Sequence, residues 1–344
     1  MGQRDTSVDI AKGVAIVAIV VGHVLRGLRS AGMVDNDATW FVTTDRALYM
    51  VHLAVFAAAA GLMVRGSLMR RGTHVYLRER CGDFLWVYVV WSIAQGLLQY
   101  VLSSLVNTSR GLASVFTLWI PTNQMWFIPW IALVTVAASV AQPWRSRRRA
   151  ALSVTGAAVV SLVSWGAFGP FIFVQGLGLS IFFFAGATLT HAGYARIRDA
   201  LGGRGAVVLL SVSATVYALL IVLGTAAAPT TTRYERTVLT IGQGVVCACA
   251  GVLAVMALSI LLARTRVAGR VLVYLGRRSM PIFLAHTMAL AATRIGLTRL
   301  GVDDVLVQAV VGTLVGVLGS VLLWRVTSAR VPWLWQAPAA LTGR

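Results

Sequence analysis

The sequence predicts an all-α, polytopic membrane helix bundle with about ten transmembrane helices and both termini in the cytoplasm. Of the 344 residues, 58% are hydrophobic and only 12% are charged, whereas soluble globular proteins average about 25% charged residues. The mean hydropathy is +0.80. Because a membrane-spanning helix takes ~20 apolar residues, a chain of this composition has room for about ten spans. The composition excludes a disordered chain, a disulfide-stabilised scaffold and an ordinary soluble enzyme.

Ten apolar segments follow one another along the chain, and they are too long and too closely spaced for strands. They cover residues 8–25, 48–64, 84–106, 126–140, 152–168, 171–190, 206–223, 238–262, 272–292 and 305–324. Continuous apolar runs of this length satisfy their backbone hydrogen bonds in lipid as helices. We therefore expect one integral-membrane domain over residues 1–344. Gly312 and Gly316 form a GxxxG pattern in the last segment, which predicts close packing against another helix.

The arginines divide unevenly between alternate connections of these segments. Twenty-one lie on one side and eight on the other, and the positive-inside rule assigns the richer side, with both termini, to the cytoplasm. The net charge of +19 is thereby explained by membrane topology, and we expect no nucleic-acid partner. Cys81, Cys247 and Cys249 form no CxxC pair and have no histidines at ligand spacing, so neither a metal site nor a structural disulfide is predicted.

The first apolar segment contains three ionisable residues, Asp9, Lys12 and His23. It has no convincing cleavage site, and we interpret it as a retained span. Asp9 lies one helical turn before Lys12, the single lysine of the chain, and is close enough to neutralise it. Eleven residues separate Lys12 from His23, which puts both on one helix face ~16 Å apart along the axis. Ionisable groups within a membrane point to function; the alternative is an interfacial ion pair and a histidine that bonds a neighbouring helix.

Three of the five histidines are predicted at a similar depth in the outer half of the bilayer. His23 lies ~22 Å along the first helix from its cytoplasmic end. His52 comes early in the second, inward-running segment, and His286 comes late in the ninth, outward-running one. Histidines that serve only local packing have no reason to agree in depth, so the three predict a shared site.

Several motifs together resemble the membrane acyltransferase family 3. The stretch up to His23, with a basic residue at Lys12 and ten intervening residues, resembles the family's basic-X10-His signature. Residues 48–66 are similar to its second-helix pattern through His52, Ala60 and Gly61. The sequence QMWFIPW at residues 124–130 resembles its Trp-Phe-Leu motif, and LGRRSMPIFLAHT at residues 275–287 resembles its late Gly-Arg-x-Ser…His motif.

The resemblance implies a multi-pass O-acyltransferase of the cell (inner) membrane. Such an enzyme moves an acyl group from cytoplasmic acyl-CoA to a hydroxyl of a sugar-containing envelope or secreted molecule. In this family the acyl group is usually acetyl. It implies that His23 is the catalytic residue, and we expect it to act as the general base. No tightly bound cofactor and no metal are expected. The expected partners are the lipid bilayer, acyl-CoA and a sugar or glycoside acceptor, while the oligomeric state is not readable from the sequence.

Four arginines on the cytoplasmic side are candidates for the phosphates of acyl-CoA, because guanidinium groups bind phosphate oxygens in pairs. They are Arg78, Arg80, Arg277 and Arg278. The family often carries RxxR after the second helix, whereas this chain has RER at residues 78–80. For each arginine the alternative role is that of a topology marker.

Other polar residues are predicted near His23 and are candidates to bind substrate or stabilise an oxyanion. They are His52, Asn123, Gln124, Trp126 and His286. Trp126 has an equal alternative as an interfacial aromatic residue. Ser92, Gln95 and Gln99 form a polar stripe on the third segment, which either lines a cavity or bonds neighbouring helices.

A proton-coupled multi-pass transporter of a small molecule or glycoside is the alternative function, because it also needs ionisable residues inside a bundle. Transporters commonly consist of two related halves, and this chain has no convincing internal repeat. A purely structural subunit gives no reason for the arrangement in the first helix.

Overall fold

The fold is an all-α bundle, seen in a computed structural model. The structure describes residues 5–101, 111–121, 123–169, 171–230 and 235–343. Outside these ranges lie four arginines that enter the arginine comparison, Arg4, Arg110, Arg233 and Arg344, and residues 102–106 at the end of the third predicted span.

Within the described ranges no strand is present. The α-helices are α1 (Ser7–Ser30), α2 (Thr39–Arg71), α3 (Thr73–Val101), α4 (Leu112–Val115), α5 (Phe127–Ala141), α6 (Arg147–Val163), α7 (Ser180–Leu223), α8 (Val238–Leu262), α9 (Ala268–Arg277), α10 (Ser279–Arg299), α11 (Val305–Thr327) and α12 (Ala339–Thr342).

Eight helical segments of the described chain are long and apolar enough to cross a membrane. One of them, Val174–Leu223, has 50 residues, about twice the length of one span. Its backbone leaves helical geometry at Thr190 and Gly202, between the predicted sixth and seventh spans. The predicted fifth span corresponds largely to α6, which has 17 residues and is not among the eight. The chain is a multi-pass membrane protein, and ten spans remain a prediction.

Helix α1 lies at the centre of the bundle, and α2 and α11 run antiparallel to it. Val8, near the start of α1, packs with Leu62 late in α2, while His23 faces Tyr49 early in α2. Both described chain ends therefore lie at one end of the bundle, which we call the terminal end. Asp5 pairs there with Arg198.

Small residues let the central helices approach each other closely. A Cβ atom on Gly316 would lie 2.8 Å from Cγ1 of Val20 on α1 and 2.6 Å from Cδ2 of Leu290 on α10, so a larger side chain does not fit there. A Cβ atom on Gly312 would lie 3.4 Å from Val24 of α1, which is close to an ordinary van der Waals contact. The GxxxG pattern thus packs α11 against its neighbours, as predicted.

Candidate active site

A cavity of about 790 Å³ opens at the end of the bundle opposite the terminal end. Six of the residues proposed from the sequence surround it. Five of them line it, namely His23, His52, Asn123, Gln124 and Trp126, and the sixth is His286, whose neighbours Phe283 and Thr287 stand in the wall. Its deepest lining residue on α1 is Ile19, and it extends outward along α1 to Ser30. Such a volume accommodates a small-molecule ligand.

The sixth of these residues, His286, lies directly behind the cavity wall and reaches the cavity through His23. Nδ1 of His23 lies 2.8 Å from Nε2 of His286, and the two ring planes differ by 12°. His286 is fully buried, and its Nδ1 lies 2.9 Å from the carbonyl oxygen of Ile282, one turn earlier in α10. Two helices far apart in sequence thus hold a continuous row of hydrogen-bonding groups that ends at His23.

Beside His23, an arginine, an aspartate and a tyrosine form a compact cluster at the wider part of the cavity. Arg26 donates two hydrogen bonds to Asp45, from Nε at 2.6 Å and from a terminal nitrogen at 2.9 Å. Its guanidinium carbon lies 3.2 Å from the ring centre of Tyr49. His52 packs edge-on against the same ring at 4.7 Å and bonds the carbonyl oxygen of Leu48 through Nδ1. The cluster restrains His52 and the outer end of α1.

Carboxamide side chains form another part of the wall. Nε2 of Gln95 donates to the carbonyl oxygen of Leu284 at 3.0 Å, and Nε2 of Gln124 lies 3.3 Å from Oγ1 of Thr287. The Oε1 atoms of Gln95, Gln99 and Gln124 are buried and accept no hydrogen bond. The polar stripe of α3 therefore both bonds a neighbouring helix and lines the cavity. The wall of the cavity therefore contains buried acceptors that are left without a partner.

Two predicted residues of α1 lie away from this cavity, at the terminal end. Lys12 and Asp9 are 3.8 Å apart, and Nε of Arg277 donates to Asp9 at 2.9 Å. Neither Asp9 nor Lys12 lines the cavity. Buried Ile16 and Ile19 stand between this charged group and His23. We call these two isoleucines the apolar floor of the cavity.

The other predicted arginines lie at the terminal end in separate surroundings. Arg78 donates to the carbonyl oxygen of Leu341 at 3.4 Å, and the guanidinium of Arg80 lies over the ring of Phe84. The guanidinium of Arg278 lies 3.8 Å from the ring centre of Tyr274 and 5.1 Å from that of Trp324. Nε of Arg278 is buried without a hydrogen-bond partner. Each of the four arginines thus contacts different protein groups.

Sequence reasoning did not single out Arg26, Asp45, Tyr49 or Arg294, although Arg26, Tyr49 and Arg294 line the cavity. Two signals were present. Arg26 follows His23 by three residues and therefore shares its helix face. Arg26 and Arg294 also belong to the eight arginines on the side that the positive-inside rule leaves poor in arginine, where a basic residue needs another reason.

The described residues contain no group of three or more His, Cys, Asp or Glu side chains arranged to hold a metal ion. The three histidines near the cavity form hydrogen bonds and ring contacts with protein groups. Within the part of the chain that the structure describes, the three cysteines are free thiols.

Comparison with known proteins adds a family to this geometry. The profile of a family described as "Acyltransferase domain" matches residues 5–325. The chain is 30% identical over 137 residues to the Nodulation protein NolL of Mesorhizobium japonicum, which is 38% of this chain and 34% of that protein. It is 27% identical over 88 residues to the Nodulation protein NolL of Sinorhizobium fredii, which is 26% of this chain and 23% of the relative.

The matched stretch thus spans about a third or less of the length of these two curated relatives. No solved structure matches the chain. The family profile, by contrast, extends from two residues before α1 almost to the end of α11 and includes every residue that lines the cavity. The chain therefore belongs to the membrane acyltransferase family 3, which confirms the enzyme class predicted from the sequence, an acyltransferase.

Proposed function

We propose that this protein is a membrane O-acyltransferase that moves an acyl group, acetyl in the first instance, from cytoplasmic acyl-CoA to a hydroxyl of a sugar-containing envelope or secreted molecule. His23 is the general base, and the protein resides in the inner membrane. The observation that carries the proposal is the row of hydrogen bonds from the Ile282 carbonyl through His286 to His23 at the cavity wall.

That row assigns a tautomer to each histidine. A carbonyl oxygen only accepts hydrogen bonds, so Nδ1 of His286 carries a proton and donates it to Ile282. Neutral His286 then has a lone pair on Nε2, which accepts from Nδ1–H of His23. The remaining nitrogen of His23, Nε2, is left without a proton and is able to take one from a hydroxyl.

The same reasoning gives His286 a positioning role. It orients the imidazole of His23 and accepts the Nδ1–H bond, which strengthens when His23 becomes positively charged. His286 takes the place that a carboxylate holds in a serine-protease triad. His52 also donates through Nδ1 to a backbone carbonyl, so its neutral form offers the cavity a lone pair and no proton.

The reaction follows from this arrangement. The acceptor oxygen attacks the thioester carbonyl carbon as Nε2 of His23 removes its proton. The carbon–sulfur bond breaks, and His23 returns the proton to the departing thiolate, so that an ester and free CoA–SH are formed. Arg26 at the cavity wall is a candidate to stabilise the oxyanion, because its guanidinium carries positive charge close to His23.

The donor is proposed to arrive from the terminal end. Arg278 is the strongest of the four arginine candidates because its Nε is buried without a partner and aromatic rings flank its guanidinium. A pantetheine arm running from there to His23 has to separate the apolar floor formed by Ile16 and Ile19. The acceptor enters from the open end of the cavity and meets the thioester at His23.

The decisive experiment compares acyl transfer by wild type and by His23→Ala in isolated membranes. Radiolabelled acetyl-CoA is supplied together with an extract of envelope glycans and secreted glycosides, and label is followed into the acceptor fraction. Because general-base catalysis contributes about 10²–10⁴-fold, we expect at least a hundredfold loss of transfer in His23→Ala. His74→Ala is the matched control, since His74 is exposed at the terminal end.

The outcomes separate the parts of the proposal. Transfer that survives in His23→Ala, at equal protein in the membrane, would refute the assigned base and leave the acyltransferase. If no acyl-CoA length gives transfer with wild type, the proposed reaction fails, and uptake of labelled glycosides would then test the proton-coupled carrier.

A further inference from the structure

Arg294 of α10 places a positive charge in the cavity wall that no acidic side chain of the protein balances. The residue is half-buried and lines the cavity. All eleven acidic residues lie within the described ranges, and none of the ion pairs among them involves Arg294. No aspartate or glutamate lines the cavity. Arg26, by contrast, is bound on two nitrogens by Asp45.

An arginine removed from bulk water is normally paired, because burial of a charge without a partner is costly. A concave site with one sign of charge and apolar walls concentrates ions of the opposite sign. The cavity is therefore electrically suited to a ligand that carries negative charge. A guanidinium binds a carboxylate or a phosphate through two parallel hydrogen bonds.

A second observation specifies the rest of the ligand. Gln95 and Gln124, 2% and 5% exposed respectively, present buried Oε1 atoms that accept no hydrogen bond. Their amide nitrogens are already directed at Leu284 and at Phe283 and Thr287. The unpartnered groups are thus acceptors with almost no exposed surface. They become accessible when their side chains rotate, and their complement is then a ligand with several hydroxyl donors.

Resting on the acyltransferase function proposed above, we infer that the acceptor is a polyhydroxylated molecule that bears an anionic group, which Arg294 binds. The anion is a carboxylate of an acidic sugar or a phosphate attached to a sugar, and both present the same paired oxygens to the guanidinium. The amide oxygens of Gln95 and Gln124 accept hydroxyls of the same molecule. Arg294 thereby selects acidic acceptors over neutral ones.

The test is a binding measurement that needs no acyl-CoA. The full chain is purified in detergent, and its tryptophan fluorescence, to which Trp126 of the cavity contributes, is titrated with three probes. The acidic probes are methyl glucuronoside and glucose 1-phosphate, and the neutral probe is methyl glucoside. One charge-assisted pair corresponds to about a tenfold difference in Kd, so we expect wild type to bind at least one acidic probe about tenfold more tightly than the neutral one.

Variants assign this preference to one side chain. In Arg294→Gln we expect the preference to fall below about twofold, whereas Arg294→Lys, which keeps the charge, retains part of it. Arg299→Gln is the matched control, because Arg299 is exposed at the end of the same helix. It should bind all three probes as wild type does. If Arg294→Gln fails to fold, the comparison of wild type with Arg294→Lys still measures the contribution of the guanidinium fork.

Three results would overturn the inference. The first is equal binding of acidic and neutral probes by wild type, and the second is an acidic preference that persists in Arg294→Gln. The third is that Arg294→Gln loses only the binding of nanodiscs made of anionic lipid and binds the sugar probes as wild type does. The last would make Arg294 a contact for lipid phosphate. The two proposals fail separately. If the protein prefers acidic probes but transfers no acyl group, the anion site stands and the proposed reaction is refuted. If it transfers an acyl group without preferring acidic probes, the reaction stands and the anion site is refuted.

Discussion

The two ends of the bundle differ in the charged and polar groups that they leave without partners, apart from the Arg26–Asp45 pair at the cavity end and Arg278 at the terminal end. At the terminal end Asp9 contacts both Lys12 and Arg277, and the carboxylate of Asp5 lies 2.7 Å from Arg198. At the cavity end Arg294 has no acidic partner, and amide oxygens of the wall accept no hydrogen bond. Charges that satisfy each other stabilise the fold, whereas groups left unsatisfied around a cavity are available to a ligand.

This difference changes the weight of the residues proposed from the sequence. Asp9 and Lys12 drew attention as intramembrane charges, yet their contacts are with each other and with Arg277. His23 stands in the cavity wall. The comparison therefore predicts that substitutions near the cavity change catalysis first, with the Arg26–Asp45 pair as the exception, and that those at the terminal end, with Arg278 as the exception, change stability first.

The largest expected effect is that of His286→Ala. Without an acceptor for its Nδ1–H bond, His23 loses its orientation and tautomer, and we expect about a hundredfold fall in kcat with little change in KM for the acceptor. His286→Gln offers an amide oxygen in a similar place and should recover part of the rate. Steady-state kinetics and the pH profile of kcat measure this. Equal rates in wild type and His286→Ala would remove His286 from the mechanism.

Asp45→Asn should have the next largest effect, this time on stability. It breaks a charge-assisted pair of hydrogen bonds to Arg26, whose side chain is 32% exposed while that of Asp45 is 16% exposed. The expected loss is about 2 kcal/mol. The thermal unfolding midpoint in detergent measures it, and Asp37→Asn in the exposed loop before α2 is the control. Identical midpoints for the two variants would show that the pair contributes nothing.

A smaller effect tests the exception at the terminal end. In Arg278→Gln we expect KM for acyl-CoA to rise about tenfold, because this guanidinium has no acidic partner and is the proposed contact for a phosphate oxygen. Arg277→Gln is matched to it by position, but Arg277 is already bound to Asp9, so its KM should change by less than about twofold. A larger effect for Arg277 than for Arg278 would contradict the donor assignment.

The smallest effect concerns Asp5, just before α1. Burial raises the pKa of its carboxyl, but hydrogen bonds from Ser7 and the charge of Arg198 outweigh burial, so the pKa lies below the ordinary value. A lowered pKa stabilises the fold above the unfolded-state pKa, about 3.9, and this stability disappears as the pH falls through the folded-state pKa. We expect Asp5→Asn to lose roughly 1 kcal/mol at pH 7.

The pH dependence provides the control for that prediction. The difference in unfolding midpoint between wild type and Asp5→Asn should be constant from pH 7 to about pH 5 and should decrease towards zero at lower pH. Asp199→Asn removes the other carboxylate that contacts Arg198, but its side chain is 67% exposed, and it should show almost no difference at any pH. A midpoint difference that grows as the pH falls would contradict the lowered pKa assigned to Asp5.

The membrane fold was predictable because it depends on composition and on the length of the apolar segments, whereas the number of spans and the side of the membrane assigned from the arginines stay predictions. The shared depth of His23, His52 and His286 was also accessible, since depth follows from the count of residues along each helix. The direction in which each side chain points depends on how helices pack. The bond between His23 and His286 joins residues 263 positions apart, and no local pattern encodes that contact.

The terminal-end site was harder to predict for a different reason. Arginines that set topology and arginines that bind phosphate occur in the same places, so sequence position does not separate Arg277 from Arg278. Their partners separate them, and Asp9 is a partner that comes from another helix. At the cavity end, the arginine count identified Arg294 as one of the eight arginines on the side with fewer of them. Its position in the cavity wall, which suggests a role, is known only from the structure.

The apolar floor has a consequence for the energy supply of the cell. A membrane protein whose cavity admits water from one side and whose other side carries charged groups conducts protons if a polar path connects the cavity to those groups. Ile16 and Ile19, fully or almost fully buried below His23, interrupt such a path along α1. In the proposed reaction the thioester arm of the donor passes between these two side chains, and it has to fill the space that it opens for the proton gradient across the membrane to stay intact.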